Sequence, residues 1–250
     1  MTELTAIETA RAADRLIHTM GSTWMISPET GARTAEYGYT EGLSFYFTGR
    51  AGVLGAVDAE VVYAAIGYFE PSLVHRMWEE GLKVREPRAS AVLYGQACAA
   101  WGEDHLAGFP GVERLQELGQ RVVDAADASA LPLFAGWRAL PPAADGPGRV
   151  MQIIHILREL RGGAHLVATT AAGLTPLQAI LTNDGPGQAA FFGWTGEFED
   201  VSELKPLIDA AEQATDRFKA AVYERALSPA ERREFADLVA AAAATLPPMG

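Results

Sequence analysis

The sequence predicts a mainly α-helical protein, and three observations carry that expectation. Alanine is used heavily and β-branched residues sparingly, which favours helix through side-chain entropy. Serine, threonine and proline recur where helices would start, as in Thr175-Pro176 and Ser228-Pro229-Ala230-Glu231. Apolar residues return at helical rather than alternating spacing.

In chain order, 3–20 reads as a helix with Leu4, Ile7, Ala10, Ala13, Leu16 and Ile17 on one face. Gly21 to Gly31 reads as a connection. Residues 42–49 are aromatic-rich and end in Gly49-Arg50-Ala51-Gly52. Asp58 is placed to cap a helix over 59–68 that is apolar on several sides and therefore buried. Glu70-Pro71 breaks it, and 71–80 forms the next. Ser90 is read as the cap of a helix reaching Glu103, and Pro110 opens another over 111–128. Leu140-Pro-Pro-Ala-Ala-Asp-Gly-Pro-Gly148 is a linker. The chain is expected to form one compact unit over 1–250, with an aromatic-rich half at 1–144 and a helix-turn-helix-like half at 149–250. The second half opens with a helix over 149–161. Arg161-Gly162-Gly163 is expected to interrupt or end it, before helix resumes over 164–172. Thr175-Pro176 starts the next helix and Asn183-Asp-Gly-Pro-Gly187 ends it. Helices over 201–226 and 229–246 finish the chain. Gly49 to Ile66 and Gly162 to Ile180 share a spacing of small-residue helix, turn and apolar helix. A duplication would leave that echo; alanine-rich composition would too.

The chain has 250 residues and a formal charge of -12, with a pI near 4.9. DNA binding draws much of its free energy from cations neutralising phosphates, so this balance counts against nucleic acid. The densest basic cluster, Arg149, Arg158 and Arg161, is interrupted by Glu159. No apolar run reaches the roughly 18 residues of a membrane span. Residues 1–14 carry charges of both signs and lack an apolar signal core, so the expected location is cytoplasmic. Cys98 is the single cysteine, which excludes an internal disulfide framework or a cysteine-based zinc site.

Four segments together resemble a known family: Leu16-Ile-His18, Tyr46-Phe-Thr-Gly-Arg50-Ala-Gly-Val-Leu-Gly55, Leu157-Arg-Glu-Leu-Arg-Gly-Gly-Ala-His165, and Gly173-Leu-Thr-Pro-Leu-Gln-Ala-Ile-Leu181 followed by Gly193-Trp194. The chain resembles the actinobacterial SalK-type helix-turn-helix proteins, relatives of the MarR-like winged-helix fold. The resemblance implies a winged-helix architecture, with two duplicated helix-turn-helix halves if the echo is ancestral. It departs from that pattern after Trp194, where the wing reads as shortened or missing. Glu197, Glu199, Asp200 and Glu203 there would repel the phosphates a wing tracks.

Within these motifs His18, Glu159 and His165 are candidate catalytic residues, able to move protons in a pocket without a cofactor. His155 and Glu159, four residues apart, share a helix face. A buried histidine bonded to its neighbours is the plainer reading, and no compact metal-binding signature is present. Trp24, Tyr37, Tyr39, Tyr46 and Tyr63, with Arg50, are candidate ligand-binding residues for a flat or amphipathic organic molecule, the alternative being ordinary core. The expected function is small-organic-molecule binding in natural-product metabolism, with DNA reading lost or weakened and a homodimer as the assembly. A cofactor-independent enzyme and a ligand-responsive transcription regulator are the rivals.

Overall fold

The computed structural model describes residues 3–246, and among these thirteen α-helices and three short 3-10 turns are formed, with no strand. The helices are α1 (Ala6–Thr23), α2 (Pro28–Glu36), α3 (Ser44–Ala51), α4 (Ala59–Ile66), α5 (Pro71–Val84), α6 (Pro87–Leu106), α7 (Val112–Ala125), α8 (Pro132–Arg138), α9 (Pro147–Ala171), α10 (Pro176–Asn183), α11 (Pro186–Phe191), α12 (Lys205–Ala226) and α13 (Pro229–Ala243). Local chemistry sets most of their starts. Thr5 with Glu8, Thr175 with Gln178, and Ser228 with Glu231 form reciprocal capping boxes at α1, α10 and α13.

Helix α9 is the axis of the molecule. Val150, Met151, Ile153, Ile154, Ile156, Leu157 and Leu160 bury apolar side chains over more than half of its circumference, the pattern of a helix inside a protein. It packs against α1, α6, α7, α8 and α12. One hydrophobic cluster runs from Ala10 on α1 to Ala242 on α13, and a small second one, Leu174, Ala179 and Ile208, lies under α10.

The structure corrects several sequence readings. Gly162-Gly163 does not interrupt α9, which runs unbroken for 25 residues. Packing along its length outweighs the roughly 1 kcal/mol per residue by which glycine disfavours helix. Gly163 is needed for contact: a Cβ there would stand 2.9 Å from Leu131 Cδ2. The break falls at Gly173, whose φ of +83° suits glycine. Ser90 does not cap α6. Glu86 does, accepting from the amides of Arg88 and Ala89, while Ser90 lies inside the helix with its Oγ 2.6 Å from the Tyr39 hydroxyl. Gly21 belongs to α1, and the expected connection after it contains most of the first turn of α2. Residues 194–201 hold no helix or strand, so no strand-built wing is formed among the described residues.

No single described helix is long and apolar enough to cross a membrane. Together α9 and α10 reach that length, but they bend by 106° and α9 is buried within the bundle.

Candidate functional site

Three helices deliver a buried ionic centre. On α9, His155 and Glu159 lie one turn apart, with Arg158 beside them. On α3, Tyr46 and Arg50 are four residues apart and share a face. On α1, His18, Gly21 and Ser22 face α9, which packs against that helix. Glu159 is 1% exposed and Arg50 6%. Arg50 grips the carboxylate with both arms, Nε donating to Oε1 at 2.8 Å and Nη2 to Oε2 at 2.9 Å. Its remaining arm, Nη1, donates to the Tyr46 hydroxyl at 2.6 Å. Arg158 Nη1 donates to the same Glu159 Oε1 at 2.9 Å, and its Nε donates to Ser22 Oγ at 2.9 Å.

The centre therefore holds two guanidiniums and one carboxylate. Burial alone would raise the Glu159 carboxyl, but the Arg50 and Arg158 charges overcome it and hold the pKa at about 2. The two arginines respond differently. Arg50 is shifted upward, because its bidentate pairing with Glu159 outweighs the burial that opposes its charge. Arg158 is shifted downward, by burial first and then by repulsion from Arg50. It is the less compensated charge of the two.

Around this pair stand neutral groups with unspent hydrogen-bonding capacity. The Tyr94 hydroxyl, Trp24 Nε1 and both ring nitrogens of His155 are buried without a well-formed hydrogen bond. His155 Nε2 stops 3.7 Å from Glu159 Oε1, and the Gly21 backbone favours the protonated ring only slightly. Burial, then Arg158 and Arg50, lower the His155 pKa to about 3 against the pull of Glu159. Trp24 and Trp137 flank the imidazole at 5.2 and 4.3 Å between centroids, and Tyr94 stacks on Trp24 at 4.6 Å. Two glycines make room for this crowding. A Cβ on Gly21 would lie 2.8 Å from Arg158 Cδ, and one on Gly49 would lie 2.6 Å from the Tyr94 ring.

Of the proposed catalytic trio, Glu159 lies in the centre, His18 is exposed on α1 one turn before Ser22, and His165 lies elsewhere. His18 keeps contact with solvent; partial burial of its ring, then the charges of Arg158, Arg161 and Arg50, shift its pKa downward. His165 lies six residues beyond Glu159, about 240° around a continuous helix. Its Nδ1 meets Thr215 Oγ1 at 3.1 Å and its Nε2 is 3.6 Å from Glu212 Oε1, both on α12. The turn at Gly162-Gly163 that would have aimed it at Glu159 is absent.

The aromatic candidates also divide. Trp24, Tyr39, Tyr46 and Arg50 belong to the centre or to the ring ladder leading from it, in which Phe45 lies 5.0 Å from Tyr94 and 4.8 Å from Tyr39. Tyr37 stands at the outer end, 5.6 Å from Phe45. Tyr63 is half-buried on α4, where burial and the nearby Glu60 and Glu70 raise its hydroxyl pKa. Sequence reasoning missed Arg158, Tyr94 and Ser22 as site residues. The available signal was Arg158-Glu159 set among the apolar residues Ile156, Leu157 and Leu160 of α9. Among the described residues no three His, Cys, Asp or Glu side chains gather to hold a metal ion.

The other feature is the turn between α9 and α10. Two helices cross there at 106° around Gly173, the geometry of a helix-turn-helix. Its surface chemistry is unlike that of a DNA reader. From Gly162 to Leu204 there is no lysine or arginine, while Asp184, Glu197, Glu199, Asp200 and Glu203 fall in the same stretch.

This geometry defines a helix-turn-helix protein. A family model described as a helix-turn-helix family matches residues 10–204, and the chain belongs to that family. No curated protein and no solved structure gives a significant match.

Proposed function

We propose that the protein binds a small organic anion at the Arg50–Arg158–Glu159 centre and that its helix-turn-helix does not read DNA. The observation that carries the reading is the second guanidinium. A buried cation without its own counter-ion is costly, and arginine cannot shed the charge. A carboxylate or phenolate entering past His18 and Ser22 would supply the missing negative charge. The Tyr94 hydroxyl and the His155 ring are unsatisfied groups close by that such a ligand, or water accompanying it, would engage. Acid–base catalysis by the three residues first singled out is less well supported, because His165 faces α12.

The test is calorimetric titration with aromatic carboxylates and phenolates, alongside Arg158→Met. Binding should weaken at least tenfold in the variant, while circular dichroism remains helical. Equal affinity in both proteins would overturn the reading. Sequence-specific DNA binding at nanomolar affinity and physiological salt would overturn its second half.

A further inference from the structure

A separate opening lies about one turn nearer the start of α9. Helices α6 and α9, the end of α8 and the loop after it enclose a cleft of about 220 Å³. Its walls are mainly apolar, with Val92, Ala99, Leu140, Ile156 and an edge of Trp137, and the rigid Pro141-Pro142 pair forms part of its rim. One end is polar, formed by Gln152 and Arg149.

The Gln152 amide is bonded through both its nitrogen and its oxygen. Gln152 Nε2 donates to the Gly95 carbonyl at 3.0 Å, and its Oε1 accepts from the Ala143 amide at 2.8 Å. Arg149 differs. Its Nη2 donates to Gln120 Oε1 at 2.6 Å and its Nη1 makes a long contact of 3.4 Å to Gln152 Oε1, both neutral acceptors. The nearest carboxylates, Asp124 and Asp145, are instead taken by Gln120 Nε2 at 2.8 Å and Gln116 Nε2 at 2.7 Å. Among the described residues no carboxylate comes within ion-pair distance of Arg149. The guanidinium is thus held by neutral amides, with no carboxylate in direct contact, and lines the apolar cleft.

We propose that this cleft is a second binding site, for a small monocarboxylic acid with an apolar body, its carboxylate on Arg149 and its body against Trp137 and Ile156. The volume is below the roughly 300–1,000 Å³ of sites that take drug-sized ligands, so the body is a single ring or short chain. Charge complementarity selects the acid: a neutral body gains only the walls, whereas a carboxylate also gains a charge-assisted, fork-shaped contact. The cleft is independent of the buried centre, although Trp137 touches both. Its Nε1 donates to the Arg50 carbonyl at 3.0 Å while its ring packs on His155.

The experiment is calorimetric titration of the full chain with benzoate, phenylacetate and hexanoate, and with phenylacetamide as the neutral match. At least one acid should bind with a millimolar or better Kd, and phenylacetamide at least tenfold more weakly than phenylacetate. Arg149→Gln should erase that difference. Ala99→Phe should block binding by filling the cleft, with far-UV circular dichroism confirming a folded chain. No binding by any of the acids, equal binding of acid and amide, or acid binding untouched by Arg149→Gln and Ala99→Phe would each overturn the proposal. Binding lost in Arg158→Met but kept in Arg149→Gln would assign the acid to the buried centre instead, so the two sites fail separately.

Discussion

Two ionic sets are buried against α1, and they are assembled on different terms. On the side facing α12, Asp14 receives the Tyr223 hydroxyl and lies 3.5 Å from Lys219 Nζ on the same carboxylate oxygen. All three residues are at most 3% exposed, and the ammonium also sits 4.9 Å over the Tyr223 ring. On the side facing α9, two guanidiniums share Glu159. The first set is balanced one for one, and both its ions can become neutral: burial raises the Asp14 pKa and lowers that of Lys219. The second carries a surplus cation of a kind that stays charged. Burial of charge is common to both, so burial does not identify a site. The surplus cation is what distinguishes the second set, and the proposed anion site rests on it.

The comparison breaks most visibly at Glu159. Glu159→Gln strands two buried guanidiniums, and loss of one partner from a buried pair costs about 3–5 kcal/mol. Urea denaturation should show that loss, the largest of any single substitution in either set. A cost under about 1 kcal/mol would mean that water already solvates the arginines. Asp14→Asn should cost less, about 1–3 kcal/mol, because Lys219 can lose its proton where arginine cannot. The cost should shrink as pH rises toward the depressed lysine pKa. A pH-independent penalty equal to that at Glu159 would remove the distinction between the two sets.

Much of this could be read from the sequence, and the failures have physical causes. Caps and prolines marked the starts of α4, α5, α10 and α13, because those signals act within three or four residues. Gly162-Gly163 was misread because local propensity favours a stop, whereas the apolar residues of α9 are clamped by five neighbouring helices. Arg50 and Glu159 were both singled out, yet as members of different groups, since 109 positions separate them. Arg158 entered only as a member of the basic cluster with Arg149 and Arg161. Its burial depends on Gly21 of α1, and a glycine gives no sign of what lies over it. His165 was joined to Glu159 only through the turn that does not form.

Acid sharpens the comparison further, since the α9-facing set contains histidines and the α12-facing set does not. The folded pKa of His155, about 3, lies below its usual 6.5, so the folded chain binds fewer protons than the unfolded one between those values. Stability should therefore be fully present above about pH 6.5 and fall as pH drops toward 3, by at most about 1.4 kcal/mol per unit for this one group. His18 and His165, also shifted down, add slope in the same region, and Glu159, at about 2, adds its own below 4.5. His155→Phe should flatten the profile between pH 6.5 and 4.5 relative to wild type. An unchanged slope would mean that the folded protein protonates His155 without cost.

The smallest effect tests whether Arg158 is the surplus member. Gly21→Ala should favour α1 by about 0.5–1 kcal/mol through backbone entropy. It also drives a methyl to 2.8 Å from Arg158 Cδ and 2.9 Å from its Cβ, inside contact distance. Overpacking of that kind costs about 1–3 kcal/mol, so the single variant should be destabilised slightly. Arg158→Met removes the uncompensated charge and leaves Glu159 gripped by Arg50, so its own cost should stay within about 1 kcal/mol. Methionine keeps the Cβ contact, but its flexible thioether can move out of the place of the arginine Cδ. In the Arg158→Met background Gly21→Ala should therefore cost less than in wild type, giving a coupling of about 0.5–3 kcal/mol between residues in contact. Additive effects would show that Arg158 already moves freely over Gly21. They would also remove the reason to regard it as held in place for an incoming anion.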